Sequence, residues 1–231
     1  MADLKRLDTG SDVESFLAEA KKRAPATRDP SRGRLILAMD ATMSRQPMWD
    51  RAVAIQSEMF SEAGRVSGLD VQLVYFRGFD ECRASKWTGN AKALARLMTK
   101  VECRGGNTQI GRVLKHIKAE ASAGKVNAAV YVGDAVEENI DTLCQAAGEV
   151  GLLGVPLFMF QDGADAGAQK AFREMARLSK GAFHRFDSSS VDVLKGLLKA
   201  VAAYAAGGRD ALEKLASADS GASRMLLAQI K

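Results

Sequence analysis

The chain has 231 residues, of which 47% are hydrophobic, 26% are charged and only four are proline, and this balance excludes a disordered chain. Its formal net charge is +5, but aromatic residues make up only 6%, which argues against a nucleic-acid-binding surface. No apolar run reaches about 18 residues, so we expect no membrane span, and the length suits one α/β domain.

The N-terminal region predicts a helix but no secretory signal. Ser11 and Glu14 have the spacing of a capping box, and the apolar residues that follow recur at helical intervals without forming an apolar signal core. The three cysteines, Cys82, Cys103 and Cys144, are odd in number and lack CxxC spacing. We therefore expect a cytoplasmic protein with reduced thiols.

Beyond this helix, predicted strands and helices alternate. Strands are predicted at 34–39, 69–76, 127–134, 155–160 and 181–186, with a short polar edge strand at about 81–87. Helices are predicted at 48–66, 90–100, 107–123, 138–150, 165–179 and 189–205. The alternation predicts a doubly wound, Rossmann-like α/β fold. Its sheet is six-stranded and mostly parallel, with one antiparallel edge strand and helices on both faces.

The pattern divides the chain into three predicted parts. Residues 1–32 form a helical extension, residues 33–206 form the α/β domain, and residues 207–231 form a tail that is helical or partly ordered. Gly207-Gly208 predicts a hinge before the tail. The candidates for docking the tail are its apolar residues Leu212, Leu215, Met225 and Leu226.

Three clusters of polar residues follow predicted strands or loops. Asp40, Thr42 and Ser44 alternate after the first strand, Thr108 follows two glycines at the start of a helix, and Asp134 lies just past a buried strand. In a doubly wound sheet, ligands bind outside the carboxyl ends of the strands. These five residues are therefore the candidate functional residues, although each alone could equally be a turn residue or a helix cap.

Several common sites of this fold are excluded by missing motifs. The sequence contains no GxGxxG after the first strand, no GxxxxGK[ST] and no GxSxG. An enzyme resembling the haloacid dehalogenase group would have a second acid two residues after Asp40, but that residue is Thr42.

A hard divalent cation fits the three clusters better. Mg²⁺ prefers oxygen ligands and keeps several of its waters. The three clusters offer two carboxylates and three hydroxyls, which at most balance the charge of the ion. Such an ion would take an anionic ligand from outside, most simply an Asp or Glu side chain of a partner protein.

This pattern resembles the metal-ion-dependent adhesion site of von Willebrand factor type A domains, over about residues 33–204. The family pattern is Asp-x-Ser-x-Ser followed by a distant Thr and a distant Asp; here it reads "DATMS", with Thr42 for the first Ser, then "GGNT" and "VGDA", with Ala135 for the usual Gly. The resemblance implies that Thr42 and Ser44 coordinate the ion directly. It implies that Thr108 does so directly or through water, and that Asp40 and Asp134 hold metal-bound waters.

The residues beside "DATMS" are candidates for contacting the partner. They are Met43, Arg45, Gln46, Met48 and Trp49, and they include residue types that are enriched at interfaces. For Trp49 the alternative is a core position in its helix, which is the commoner role of a tryptophan there. Glu137 and Glu138 would repel an acidic partner unless they point away from the site.

We therefore expect a non-enzymatic, cytoplasmic binding module, suited to an adaptor role in a bacterial complex. It would use Mg²⁺, with Mn²⁺ or Ca²⁺ as alternatives, to capture an acidic residue of a partner protein. A metal-dependent phosphoester hydrolase and a scaffold of the same fold without metal are the alternatives. The sequence specifies neither the partner nor an oligomeric state.

Overall fold

The computed structural model describes residues 31–64, 68–187, 191–218 and 221–230. The predicted N-terminal helix, with Ser11 and Glu14, lies outside the described residues. None of the helices in the described ranges is long and apolar enough to cross a membrane.

Within the described residues, six strands form a single sheet. They are β1 (Gly33–Asp40), β2 (Leu69–Arg77), β3 (Glu81–Ala84), β4 (Ala128–Gly133), β5 (Leu157–Asp162) and β6 (Ala182–Phe186). The strand order is β3-β2-β1-β4-β5-β6, and every neighbouring pair is parallel except β2 with β3. The prediction of a mostly parallel sheet with one antiparallel edge strand is confirmed.

Helices cover both faces of the sheet, as predicted. They are α1 (Gln46–Ile55), α2 (Ser57–Gly64), α3 (Ala91–Met98), α4 (Ile110–Ala123), α5 (Ile140–Leu152), α6 (Ala166–Leu178), α7 (Val191–Ala218) and α8 (Ala222–Leu227). Alternate side chains of β1 enter two separate cores because successive residues of a strand point to opposite faces. Leu35 and Leu37 pack with α1, α3 and α7, whereas Ile36 and Ala38 pack with α4, α5 and α6.

The strand register brings the ends of β1 and β4 together. Met39 of β1 pairs with Val132 of β4, so Asp40 and Asp134 follow neighbouring strands at the same edge of the sheet. In this order β2, the next strand along the chain, lies on one side of β1, and the later strand β4 lies on its other side. The direction in which strands are added to the sheet therefore reverses at β1. Such a reversal opens a crevice in which doubly wound proteins bind ligands.

The predicted helix at 48–66 has a different structure. A short 3-10 helix, Met43–Arg45, leads directly into α1, and the helical run is interrupted at Gln56 before α2 begins. The Gln56 side chain is buried. The predicted helix at 107–123 also begins later, at Ile110.

The segment after the predicted hinge packs into the same core as β1. Helix α7 has non-helical backbone at Gly207 and at Gly208, where φ is +69°, a conformation that favours glycine. Leu212 and Leu226 are completely buried. Met225, a predicted docking residue, is instead 53% exposed, because it lies on the outer side of α8.

Candidate metal site

A pocket of about 250 Å³ opens beside the carboxyl ends of β1 and β4. It is lined by Asp40, Thr42, Met43, Ser44, Gly105, Gly106, Thr108, Asp134, Ala135 and Glu137. All five candidate ligands from the sequence therefore lie around one space, although they come from three loops that are far apart in the chain. Their role as metal ligands stays a prediction.

Asp40 lies at the inner end of this pocket and is only 1% exposed. Its Oδ1 accepts a hydrogen bond of 2.7 Å from the backbone N–H of Thr42, two residues further along the chain. Burial raises the pKa of Asp40 to about 6, against the lowering effect of its hydrogen bonds from Thr42, and the nearby Asp134 raises it further. A bound cation would reverse this penalty by stabilising the charged form.

Thr108 is held by two acidic residues from the loop after β4. Its backbone N–H donates to Glu137 Oε2 over 2.7 Å, and its hydroxyl donates to Glu138 Oε2 over 3.1 Å. Glu138 also accepts hydrogen bonds from the backbone N–H groups of Ile110 and Gly111. Both carboxylates therefore point at the start of α4. The sequence indicated only that these two charges could repel an acidic partner, because their hydrogen-bond partners lie about 30 residues away in the chain.

Arg45 lies beside the pocket, next to Asp134, which is one of its lining residues. Its Nη1 donates to Asp162 Oδ2 over 2.7 Å, and its Nε lies 3.4 Å from Asp134 Oδ2 without forming a hydrogen bond to any described residue. The arginine is buried, so the prediction that it contacts a partner is wrong. Its charge is instead used inside the protein to balance Asp162, whose side chain is only 4% exposed.

The prediction that Trp49 and Met48 contact a partner is also wrong, since each side chain is only 1% exposed. The Trp49 indole N–H donates to the backbone oxygen of Met98, and its ring packs edge-on against Tyr75. Helix α1 thus turns its aromatic residue into the core, as amphipathic helices usually do.

Met43 and Gln46 are exposed, as a contact role requires. Met43 is 64% exposed and lines the pocket. Gln46 is held by its neighbours, because its Nε2 donates to Asp50 and its Oε1 accepts from the backbone N–H of Cys103. Contact with a partner stays a prediction for both residues.

Phe79 is a candidate contact residue that sequence analysis missed. It is 75% exposed in the turn between β2 and β3. The backbone of this turn touches the pocket wall, because the N–H of Asn107 donates to the Gly78 carbonyl and a Cβ on Gly106 would lie 2.0 Å from that oxygen. The sequence signal that could have identified Phe79 is a large apolar residue directly after a turn glycine.

The donor set fits a hard cation. Within the described residues, no cluster of three or more His, Cys, Asp or Glu side chains could hold a metal ion. The pocket offers instead the mixed carboxylate and hydroxyl oxygens that Mg²⁺ accepts. The buried charge of Asp40 forms no ion pair with any described residue, so a cation would compensate a charge that the protein leaves largely unbalanced. When bound, the ion would supply a Lewis-acidic centre with room for an outside ligand.

By sequence, the chain matches neither a protein-family model nor a curated protein. Solved structures are similar in fold. A von Willebrand factor type A structure from Catenulispora acidiphila has a TM-score of 0.62 at 14% identity, over 76% of this chain and 43% of that one. The SpRpn10 VWA domain has a TM-score of 0.56 at 11% identity, over 71% of this chain and 95% of that one.

A third similar structure is proximal thread matrix protein 1 from the mussel byssus, described with a zinc-occupied MIDAS motif. Its TM-score is 0.58 at 15% identity, over 74% of this chain and 48% of that one. These likenesses show that the chain has the von Willebrand factor type A fold. The matched region spans less than half of the Catenulispora and mussel chains.

Proposed function

We propose that this protein is a metal-dependent protein-interaction module. Asp40, Thr42, Ser44, Thr108 and Asp134 would hold a divalent cation of the Mg²⁺ type, with Mn²⁺ or Ca²⁺ as alternatives. The observation that carries the proposal is the convergence of these five residues on one pocket around a buried carboxylate whose pKa is raised by burial. The zinc-occupied motif of the mussel protein, which has the same fold, supports it.

The partner would supply an Asp or Glu side chain to the metal. Two carboxylates at most neutralise a divalent cation, so an anionic outside ligand is favoured over a neutral one. Glu137 and Glu138 repel an acidic partner less strongly than their position in the sequence suggests. Their carboxylates accept hydrogen bonds from Thr108 and from the first N–H groups of α4. The helix N-terminus carries partial positive charge and compensates them.

We propose a binding role rather than catalysis. Among the described residues, the pocket lining has no histidine, cysteine or lysine, so no group beside the proposed ion is a candidate base or nucleophile beyond Asp40 itself. A cytoplasmic location and an adaptor role in a bacterial complex belong to the same proposal.

A metal titration tests the cation site. Mg²⁺, Mn²⁺ and Ca²⁺ are each titrated into the chelator-treated protein while its unfolding free energy is measured. A cation at about 100 times Kd should stabilise the wild type by about 2.7 kcal/mol. Asp40→Ala should lose this response, whereas Asp141→Asn, which removes an exposed carboxylate in the first turn of α5, should keep it. Equal stabilisation of all three proteins would contradict a site at Asp40, and the absence of any response would favour a scaffold without metal.

The binding role is tested by recovery of proteins from a cell lysate of the source organism. Proteins retained with Mg²⁺ but lost with chelator, and lost with Asp40→Ala, are the expected result. Turnover of para-nitrophenyl phosphate that needs Mg²⁺ and Asp40 would instead support the hydrolase alternative.

A further inference from the structure

Helix α4 is capped by a residue from another loop. Its own N-cap residue, Gln109, makes no capping hydrogen bond through its side chain. The Glu138 carboxylate takes that place: Oε2 accepts from Ile110 N–H over 2.9 Å, and Oε1 accepts from Gly111 N–H over 2.7 Å. These N–H groups would otherwise lack partners in the helix, and a negative charge is favourable at this end.

The same loop fixes the orientation of the Thr108 hydroxyl. The hydroxyl donates its proton to Glu138 Oε2 over 3.1 Å and accepts a hydrogen bond of 3.1 Å from the backbone N–H of Glu137. A hydroxyl has one donor and two acceptor lone pairs. With the proton and one lone pair engaged, a single lone pair is left on a residue that lines the pocket.

We propose that Glu137 and Glu138 are positioning residues that prepare Thr108 to ligate the cation. They direct the hydroxyl proton away from the pocket and leave the lone pair for the metal. They also connect Thr108 to Asp134, which precedes them in the same loop, so that two ligands from distant parts of the chain are held as one unit. This inference rests on the proposed function and extends it.

A purely structural cap would give a different result. If Glu138 only stabilises α4, its removal lowers the stability of the protein and leaves the metal affinity of the folded protein unchanged. If it positions Thr108, its removal weakens metal binding, and this effect disappears once Thr108 has no hydroxyl.

The test is a double-mutant cycle on Mg²⁺ affinity, measured by calorimetry with chelator-treated protein. We expect Glu138→Gln to weaken binding about tenfold, as is common when a group that orients a ligand is changed. The amide cannot accept hydrogen bonds at both arms, so the cap and the Thr108 contact cannot both be kept. Thr108→Val should also weaken binding, and the double variant should bind no more weakly than Thr108→Val alone.

Asp165→Ala is the matched control, because it removes a helix cap outside the pocket. Asp165 caps α6 by accepting from Ala168 N–H over 2.6 Å, and it does not line the pocket. This variant should lose stability but keep the wild-type Mg²⁺ affinity. An unchanged affinity in Glu138→Gln, or an equal loss in the presence and absence of the Thr108 hydroxyl, would overturn the inference. Failure of the wild type to bind Mg²⁺ would overturn the proposed function and this inference with it.

A second variant covers the case in which Glu138→Gln does not fold. Glu137→Ala removes the 2.7 Å contact to Thr108 N–H but leaves the Glu138 cap in place. We expect it to weaken Mg²⁺ binding several-fold while amide exchange at Ile110 and Gly111 in the metal-free protein stays slow. Wild-type affinity in this variant would also count against the inference.

Discussion

Arg45 and Asp162 form an ion pair that joins the turn after β1 to the end of β5. Nη1 and Oδ2 are 2.7 Å apart, and the two side chains are only 10% and 4% exposed. Removing one member of such a pair leaves the other charge buried without a partner, which typically costs about 3–5 kcal/mol.

We therefore expect Arg45→Met to lower the unfolding free energy by about that amount in urea titrations. Asp162→Asn should be similarly destabilising, and the double variant should lose less than the sum of the two. Arg104→Met, which removes an exposed arginine paired with the exposed Glu102, should change stability by no more than about 0.5 kcal/mol. Additive losses at Arg45 and Asp162 would mean that the pair is not coupled.

Asp40→Asn should stabilise the metal-free protein at neutral pH. Burial raises the pKa of Asp40 from 3.8 to about 6, so the folded state holds this proton more tightly than the unfolded state. The resulting contribution to stability is complete below about pH 3.8 and is lost as the pH rises through about 6. The difference between the two pKa values corresponds to at most roughly 3 kcal/mol of unfolding free energy.

Urea unfolding with chelator at pH 4 and pH 7.5 checks this expectation. The gain from Asp40→Asn should be large at pH 7.5 and small at pH 4. A gain that is independent of pH would argue against a buried, titrating Asp40. With saturating Mg²⁺ the order should reverse, since only the wild type would be stabilised by the ion.

The sheet was predictable because its signals are local. Each parallel strand is an apolar run that ends near a polar residue, and the short polar strand β3 pairs only at the edge. The convergence of Asp40 and Asp134 followed from the rule that parallel strands end at the same edge of a sheet, whereas Thr108, at the start of a helix, was joined to them by the family resemblance.

The misassigned residues depend on contacts that are distant in the chain. Arg45 belongs to a residue type that is enriched at interfaces, but its ion-pair partner Asp162 lies 117 residues away in the chain. The cap on α4 comes from Glu138, 28 residues from Ile110, so no local pattern around Thr108 could reveal it. Residue type alone does not distinguish an exposed tryptophan from a buried one, as Trp49 illustrates.

Gly106→Ala should disturb the loop that carries Thr108. A Cβ on Gly106 would lie 2.0 Å from the Gly78 carbonyl oxygen, so the two backbones must separate. We expect a loss of about 1–3 kcal/mol in unfolding free energy and weaker Mg²⁺ binding. Gly105→Ala is the matched control, because a Cβ there meets nothing within 4 Å. If both alanine variants behave alike in stability and in Mg²⁺ titrations, close backbone contact is not what Gly106 provides.

Met43 and Phe79 should contribute to partner binding but not to stability. Both side chains are mostly exposed, and both belong to or adjoin the wall of the pocket. The double variant Met43→Ser, Phe79→Ser should unfold within about 0.5 kcal/mol of the wild type and bind Mg²⁺ equally. Quantitative mass spectrometry should show reduced recovery of the proteins that the wild type retains with Mg²⁺. The control variant Leu152→Ser changes an exposed leucine at the end of α5, and it should retain these proteins in full.

The segment after Gly208 should be part of the folding unit. Leu226 is completely buried, whereas its neighbour Met225 is 53% exposed. We expect Leu226→Ala to cost about 2–5 kcal/mol in urea unfolding and Met225→Ala to cost less than about 0.5 kcal/mol. A small and equal effect of both variants would show that this segment does not contribute to the core in solution.

The pairing of β1 with β4 has a consequence for the order of folding. Arg34 N–H bonds to Asn127 across 93 residues, and the same pairing brings Asp40 beside the loop of Asp134. Contacts of such long range form slowly, because a large loop must be closed before they are made. On the proposed function, a fragment that lacks β4 would hold only part of the ligand set. A stopped-flow signal from cation uptake during refolding would therefore report the moment at which the centre of the sheet closes.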